Sequence, residues 1–190
     1  MSALRRIDAA NREDPETVVV NGSPVPGELL YSRRMSAWLD KLEPDASEAL
    51  KLAVRAQHLR RWEIPRETFP KTRAGYLQWR TRLGAYHAEK AGEILRESGY
   101  DEPTVARVQS LLRKEGLKSD PETQLLEDVI CVVFLENYFA DFAPQHDEEK
   151  VINILRKTWR KMSERGREAA LGLELPSEAR ALVERALGSG

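Results

Sequence analysis

The sequence predicts an all-α protein, a single helical bundle of about eight helices. Apolar residues recur at three- and four-residue spacing along most of the chain, and proline, glycine and capping residues punctuate it at helix-length intervals. No alternating apolar–polar run exceeds a few residues, so nothing founds a sheet. With 190 residues, 41% of them hydrophobic and 32% charged, the chain can bury one core and is too apolar to be disordered over most of its length.

A short first helix, about residues 3–12, runs into a loop at 14–27, where Pro15, Gly22, Pro24, Pro26 and Gly27 predict irregular backbone; Val18 to Val20 is too short to matter. The second helix, about 28–42, carries Leu30, Trp38 and Leu42, and Pro44-Asp45 stops it. The third, about 46–62, sets Leu50, Val54 and His58 four apart on one face. After a loop holding Pro65 and Pro70, Thr72 caps a long fourth helix to Ser98, with Tyr76, Leu83, His87, Ala91 and Ile94 in a stripe before Gly99. Asp101 and Pro103 open a fifth helix that closes at Gly116, and Asp120-Pro121 opens the sixth. From Leu125 to Phe142 the sixth helix is apolar nearly all round, which predicts a central position. A seventh starts near Asp147 and passes Trp159 and Met162, and a short eighth lies between Pro176 and Leu187. One domain is expected over 1–190, with an N-terminal extension and helices at 1–45, a core at 46–142 and C-terminal helices at 147–190.

Charge is unevenly spread although the net is −1. Residues 51–82 hold nine Lys or Arg against two acids, and 150–167 hold seven against one, whereas 83–149 carry fifteen acids against six bases. The bland account is solvated helix faces and internal ion pairs; the sharper one is an anion-binding surface, which the seven arginines of 51–82 suit because a guanidinium donates two bonds at once. The longest apolar run, Val129 to Leu135, is far short of the roughly 20 residues of a membrane span, so no membrane partner is expected. Charge near the N-terminus argues against a secretory signal, and a single cysteine rules out a disulfide framework, so a cytoplasmic location is expected.

Chemistry is expected where polar side chains enter apolar faces. His58 follows Leu50 and Val54, His87 sits between Leu83 and Ala91, and Asp128 shares a face with Val132, Leu135 and Phe139. A buried carboxylate needs a hydrogen-bonded, cationic or metal partner. Two imidazoles and a carboxylate from three helices could bind a divalent metal such as Mn, Fe, Co, Ni or Zn; equally, Asp128 could be a satisfied polar pair with no metal. Beside His58 and His87 lie cationic forks and rings. Arg61, Arg73 and Arg80 are candidate phosphate ligands, and Trp62, Tyr76 and Trp79 candidate stacking platforms for a base, unless the tryptophans are core residues covered by arginine stems. Arg80, two turns before His87, is expected at the mouth of the same cavity. Lys114 and Glu115 are read as helix-terminal charges, His146 as a cap, and Cys131 as inert packing.

His58, His87 and Asp128, each on its own helix, resemble the HD-domain metal-dependent phosphohydrolases. That resemblance implies an HD-like architecture, His58 and His87 as metal ligands, and Asp128 as distal carboxylate with Glu127 as its alternative. It also implies a nucleotide or other phosphate ester as substrate, with His87 and Asp128 in the catalytic centre. Ala88 stands where the family's dyad aspartate belongs, and Glu89 points about 200° round the helix from His87, so the chain resembles a degenerate, metal-relict member. Over nearly its full length, the strings AVRAQHLRRWEIPR, RAGYLQWRTRLGAYHAEKAGEIL, LEDVICVVFLENYF and KTWRKMSERG resemble the domain-of-unknown-function 4202 family, which implies no activity. Lys161 to Arg165 is similar to the KMSKS loop of class I synthetases, but here it is expected on a solvated basic helix without the Rossmann sheet that loop needs. The sequence contains no Gly-rich phosphate loop, no Gly-x-Ser-x-Gly elbow and no His-Glu-x-x-His motif. The leading expectation is therefore a phosphohydrolase-like protein that binds a nucleotide or other phosphate ester. The alternative is a non-catalytic module for nucleic acid or an acidic protein partner.

Overall fold

The computed structural model describes residues 2–188, and its chain divides into two compact units, Met1–Thr123 and Gln124–Gly190. The first contains α1 (Ala3–Asn11), a β1–β2 hairpin (Thr17–Val20 and Ser23–Pro26), α2 (Gly27–Leu42), α3 (Glu48–Arg55), α4 (Arg73–Glu97) and α5 (Glu102–Arg113). The start of α6 (Pro121–Asn137) closes this unit. In the second unit α6 continues, followed by α7 (Phe139–Phe142), α8 (Glu148–Lys161), α9 (Glu164–Leu171) and α10 (Ser177–Gly188). The molecule is predominantly helical, as its periodicity predicts, and no described helix is long and apolar enough to cross a membrane.

In the first unit α4 packs along α5, α5 along α3, and α3 along α2, with α1 against α2, α3 and α4. Their facing stripes, among them Ile7, Met35, Leu39, Leu50, Leu52, Val54, Leu95, Val105 and Leu111, are fully buried. Arg55 clamps α3 to α1 through two bonds to Asp8, 2.7 and 2.8 Å long. Helix starts follow the capping residues. Thr72 accepts from the Gly75 N–H, Asp101 from Thr104, and Ser47 from Leu50.

Four local expectations are corrected. Residues 17–26, expected to be irregular, form a two-stranded antiparallel hairpin with Val20 opposite Ser23 across an Asn21-Gly22 turn. Both turn residues have positive φ, 49° and 78°, the geometry an Asn-Gly pair favours; the prolines sit on a strand with no further neighbour to demand their missing N–H. The third helix stops at Arg55 instead of Trp62, giving way to turns and then a single 3-10 turn at Arg61–Glu63. Arg60 there is left-handed at φ 53°, held by ion pairs to Glu13 and Glu63. The sixth helix breaks at Asn137 and resumes as α7. Finally, the seventh helix ends at Lys161, because Ser163 leaves the helical path to cap α9 by accepting from the Gly166 N–H. The Lys161–Arg165 segment therefore straddles two helices instead of lying on one.

In the second unit α8 packs along α10. Leu126, Val129, Val132 and Val133 of α6 are fully buried, as the all-round apolar pattern predicts.

Candidate functional site: a histidine pair in a cationic surround

The early end of α3 builds the site. Because residues 56–60 are turns, the Leu59 carbonyl has no helical partner and instead accepts a 2.8 Å bond from His87 Nδ1 on α4. A carbonyl only accepts, so Nδ1 carries the proton and Nε2 holds the lone pair. His58 lies in the same turns, its ring centroid 6.1 Å from that of His87. Its Nδ1 meets Glu28 Oε2 at 3.1 Å, and the Tyr31 ring stacks on it at 3.9 Å with only 9° between planes. A carboxylate on Nδ1 again leaves Nε2 as the free nitrogen.

The N-terminus of α2 is fixed so that Glu28 can do this. Buried Asp14 accepts from the N–H groups of Glu28 and Glu16, at 2.8 and 3.0 Å, and the Gly27 N–H donates to the Glu16 carbonyl. The hairpin thus returns the chain to α2 with Glu28 in its first turn. Arg61, on the 3-10 turn, reaches Glu28 Oε1 at 3.5 Å.

Burial pushes the His87 imidazole down to about 3, helped by neighbouring His58. His58 is held well below its ordinary value by burial and by the charges of Arg61, Arg80 and Lys114. Glu28 is raised by burial, which outweighs the opposing charge of Arg61. Two neutral imidazoles therefore sit among three cations and one carboxylate. Lys114, expected to be a solvated terminal charge, is instead the half-buried left-handed cap of α5, φ 57°, with its charge felt at His58. Arg80 is half-buried and takes part in no hydrogen bond or ion pair among the described residues, although the guanidiniums of Arg55, Arg60, Arg61, Arg96 and Arg107 are all paired.

The structure thus places His58, His87, Arg61 and Arg80 near one another. It adds Glu28, Tyr31 and Lys114, which sequence reasoning missed. Glu28 sits where an acid is expected simply to complement a helix N-terminus, and that ordinary role hides the other; the three-residue step from Glu28 to Tyr31 was the available signal. Arg73 is exposed at the start of α4, and Trp62 is half-buried beside Arg61.

Two site assignments are corrected. Asp128 belongs to the second unit, where its carboxylate accepts from the Ser163 N–H at 2.8 Å, the Ser163 hydroxyl at 2.5 Å and the Gln124 amide at 3.0 Å. Neither imidazole takes part in that bonding, and the carboxylate anchors the α9 cap. Its alternative, Glu127, pairs with Lys161 at 3.4 Å. Trp79 is only 6% exposed, its indole N–H donates to the Ile64 carbonyl, and Arg61 and Arg66 lie 5.2 and 5.9 Å from its ring, so packing occupies the face that was expected to stack on a base. His146 packs edge-on against Phe142 and does not cap α8.

For the expected metal, the site offers two imidazole nitrogens. Ala88 adds no ligand, and among the described residues no three His, Cys, Asp or Glu side chains converge. This set does not complete the three-ligand centre, and the chemistry that follows belongs to the chain's own residues.

Compared with known proteins, residues 1–183 match the family described as Domain of unknown function (DUF4202). No curated protein and no solved structure matches the chain.

Proposed function

The chain belongs to the DUF4202 family, which brings no activity with it, and from the site alone we propose a phosphohydrolase-like protein that binds a phosphate ester, such as a nucleotide, beside His58. The observation that carries this is Arg80, a half-buried guanidinium with no hydrogen-bond or ion-pair partner among the described residues, whose charge reaches an imidazole held neutral. An unpaired cation at that depth is stabilised by an arriving anion, and a phosphate satisfies its planar fork with two bonds. Arg61 and Lys114 supply further positive charge.

The imidazoles give the site its acid–base capacity. Glu28 fixes the His58 ring with Nε2 available to accept a proton from water or a hydroxyl, and a bound dianion offsets the cations that depress this nitrogen's basicity. His87, anchored by Leu59, presents a second neutral Nε2. Phosphate is tested by following the histidine ring protons in NMR while inorganic phosphate or adenosine monophosphate is added. The His58 signals shift saturably, its pKa rises in the complex, and Arg80→Ala weakens binding about tenfold or more. Histidine signals unmoved by millimolar ligand refute the proposal.

A second reading is favoured by the two Nδ1 anchors, which leave both Nε2 atoms bare as metal-bound histidines require. A Mn, Fe, Co, Ni or Zn ion would be held by His58 and His87, with water as its remaining ligands. Elemental assay of untagged protein, repeated on His58→Ala, tests that reading; metal below one tenth of stoichiometry rejects it.

A further inference from the structure

The first two turns of α4 form a surface that, apart from Arg80, the phosphate site does not use. Arg73, Tyr76, Leu77 and Arg80 fall within about 100° of one another round the helix, as does His87 further on, so one face leads from the exposed end of α4 toward the histidine pair. Tyr76 is 45% and Leu77 54% exposed, in a protein with few exposed large apolar side chains. Lys71 and Arg73 are exposed and take part in no ion pair among the described residues. From residue 64 to 85 the chain has five basic side chains and one acid, Glu67.

Two properties distinguish this face from an ordinary solvated one. Five cations of the basic stretch are consumed internally: Lys51 by the Pro44 carbonyl, Arg55 by Asp8, Arg60 by Glu13 and Glu63, Arg61 by Glu28, and Arg66 by the Phe69 and Pro70 carbonyls. Of the cations left over among the described residues, Lys71, Arg73 and Arg80 flank the exposed ring, and Arg82 lies about 120° round α4 from it. In addition, Tyr76 meets Trp79 only at a tilt, with centroids 5.9 Å apart and 48° between planes, so no parallel neighbour covers its face. Cations at intervals beside an open aromatic ring match a chain that alternates phosphates with flat bases. A duplex hides its bases and cannot use the ring.

We propose that this face of α4 binds single-stranded nucleic acid, with the backbone on Lys71, Arg73 and Arg80 and a base on Tyr76. From Arg73 to Arg80 is about 10 Å along the helix axis, room for two or three nucleotides. The surface stands apart from the phosphate-ester reading, sharing only Arg80 with it.

The test is fluorescence anisotropy of the full chain with a dye-labelled twelve-nucleotide pyrimidine strand, as DNA and as RNA, over a range of salt. Binding is expected to weaken as salt rises, with log–log slope near −0.7 for each phosphate contacted. It should favour the single strand over a duplex of equal length by about tenfold. Tyr76→Ala weakens it about fivefold or more, and Tyr76→Phe retains it. Arg73→Glu abolishes it, and Lys157→Glu, at an exposed position of α8 in the second unit, leaves it unchanged. Equal affinity for a poly-glutamate peptide, preference for duplex, or indifference to Tyr76→Ala overturns the proposal. The two readings fail separately: strand binding that survives His58→Ala while free phosphate leaves His58 unmoved keeps this surface and rejects the phosphate-ester site.

Discussion

At Asp128 the structure shows how a correctly suspected residue can serve another end. A carboxylate on the apolar side of α6 must have partners, and that much follows from sequence. The partners are Ser163 and Gln124, and Ser163 is also the cap of α9, so one buried charge fixes both a helix start and the chain reversal before it. A methyl added at Gly166 would lie 2.6 Å from Asp128 Oδ1, which explains the glycine in the first turn of α9. Asp128→Asn is expected to lower unfolding free energy by roughly 1–2 kcal/mol, since a charged acceptor of several bonds becomes a neutral one. Gly166→Ala costs about 1–3 kcal/mol through the same contact. Both are read from urea unfolding, and phosphate binding at His58 is expected to be unchanged in Asp128→Asn. A loss of binding there would return Asp128 to the functional site. That His58 and His87 lie near each other was legible because polar residues interrupting apolar stripes stand out, and Arg61 and Arg80 stood out as cationic forks among aromatic rings. Glu28 and Tyr31 were not legible, because their pairing with His58 depends on a long-range approach that spacing cannot encode.

Among the elements, those with strong local signals matched expectation and those decided by tertiary contact did not. The fourth helix runs from the Thr72 cap to Glu97 as predicted, since a capping hydroxyl, a long stripe and a following glycine agree. The third helix ends seven residues early although its stripe continues to His58. What competes with it is the Leu59 carbonyl's bond to His87 and the ion pairs of Arg60, neither of which is local. The hairpin was hidden because the prolines drew attention from Asn21-Gly22, the stronger signal. The start of α4 also matters to function, since it aims Arg73, Tyr76 and Arg80. Gly75 sits so close to the Pro70 carbonyl that any side chain there would collide with it. Thr72→Ala is expected to cost about 1 kcal/mol as a lost cap, and Gly75→Ala more, about 2–3 kcal/mol, because the obstacle is backbone. Chemical denaturation ranks the two; a Gly75→Ala variant as stable as the parent contradicts the close approach.

For the whole molecule, the asymmetry of charge is resolved in part by pairing and in part left standing. The basic stretch spends Arg55, Arg60 and Arg61 on acids from α1, its own turns and α2, while Arg80, unpaired among the described residues, joins Arg61 and Lys114 in setting the potential at His58. That arrangement makes stability depend on pH in a definite direction. His87 titrates at about 3 and His58 well below its ordinary value, whereas in the unfolded chain both take up protons near 6.5. Above that value folded and unfolded forms are alike neutral, and the full stability is present. As pH falls below 6.5 the unfolded chain binds protons that the folded one refuses, so stability drops by up to about 1.4 kcal/mol per pH unit for each imidazole, until the folded pKa is reached. Glu28 works the other way. Its raised pKa lets the folded form take up a proton first, which adds stability as pH falls through that value and partly offsets the loss. Thermal unfolding between pH 8 and 4 is therefore expected to show a flat Tm above 7 and a falling one beneath 6.5, with the fall reduced in His87→Gln. Saturating phosphate raises the Tm wherever the anion binds the folded form alone. A Tm independent of pH between 6.5 and 4.5 in both proteins would mean that the imidazoles are open to protons, and the neutral pair at the centre of the site would have to be abandoned.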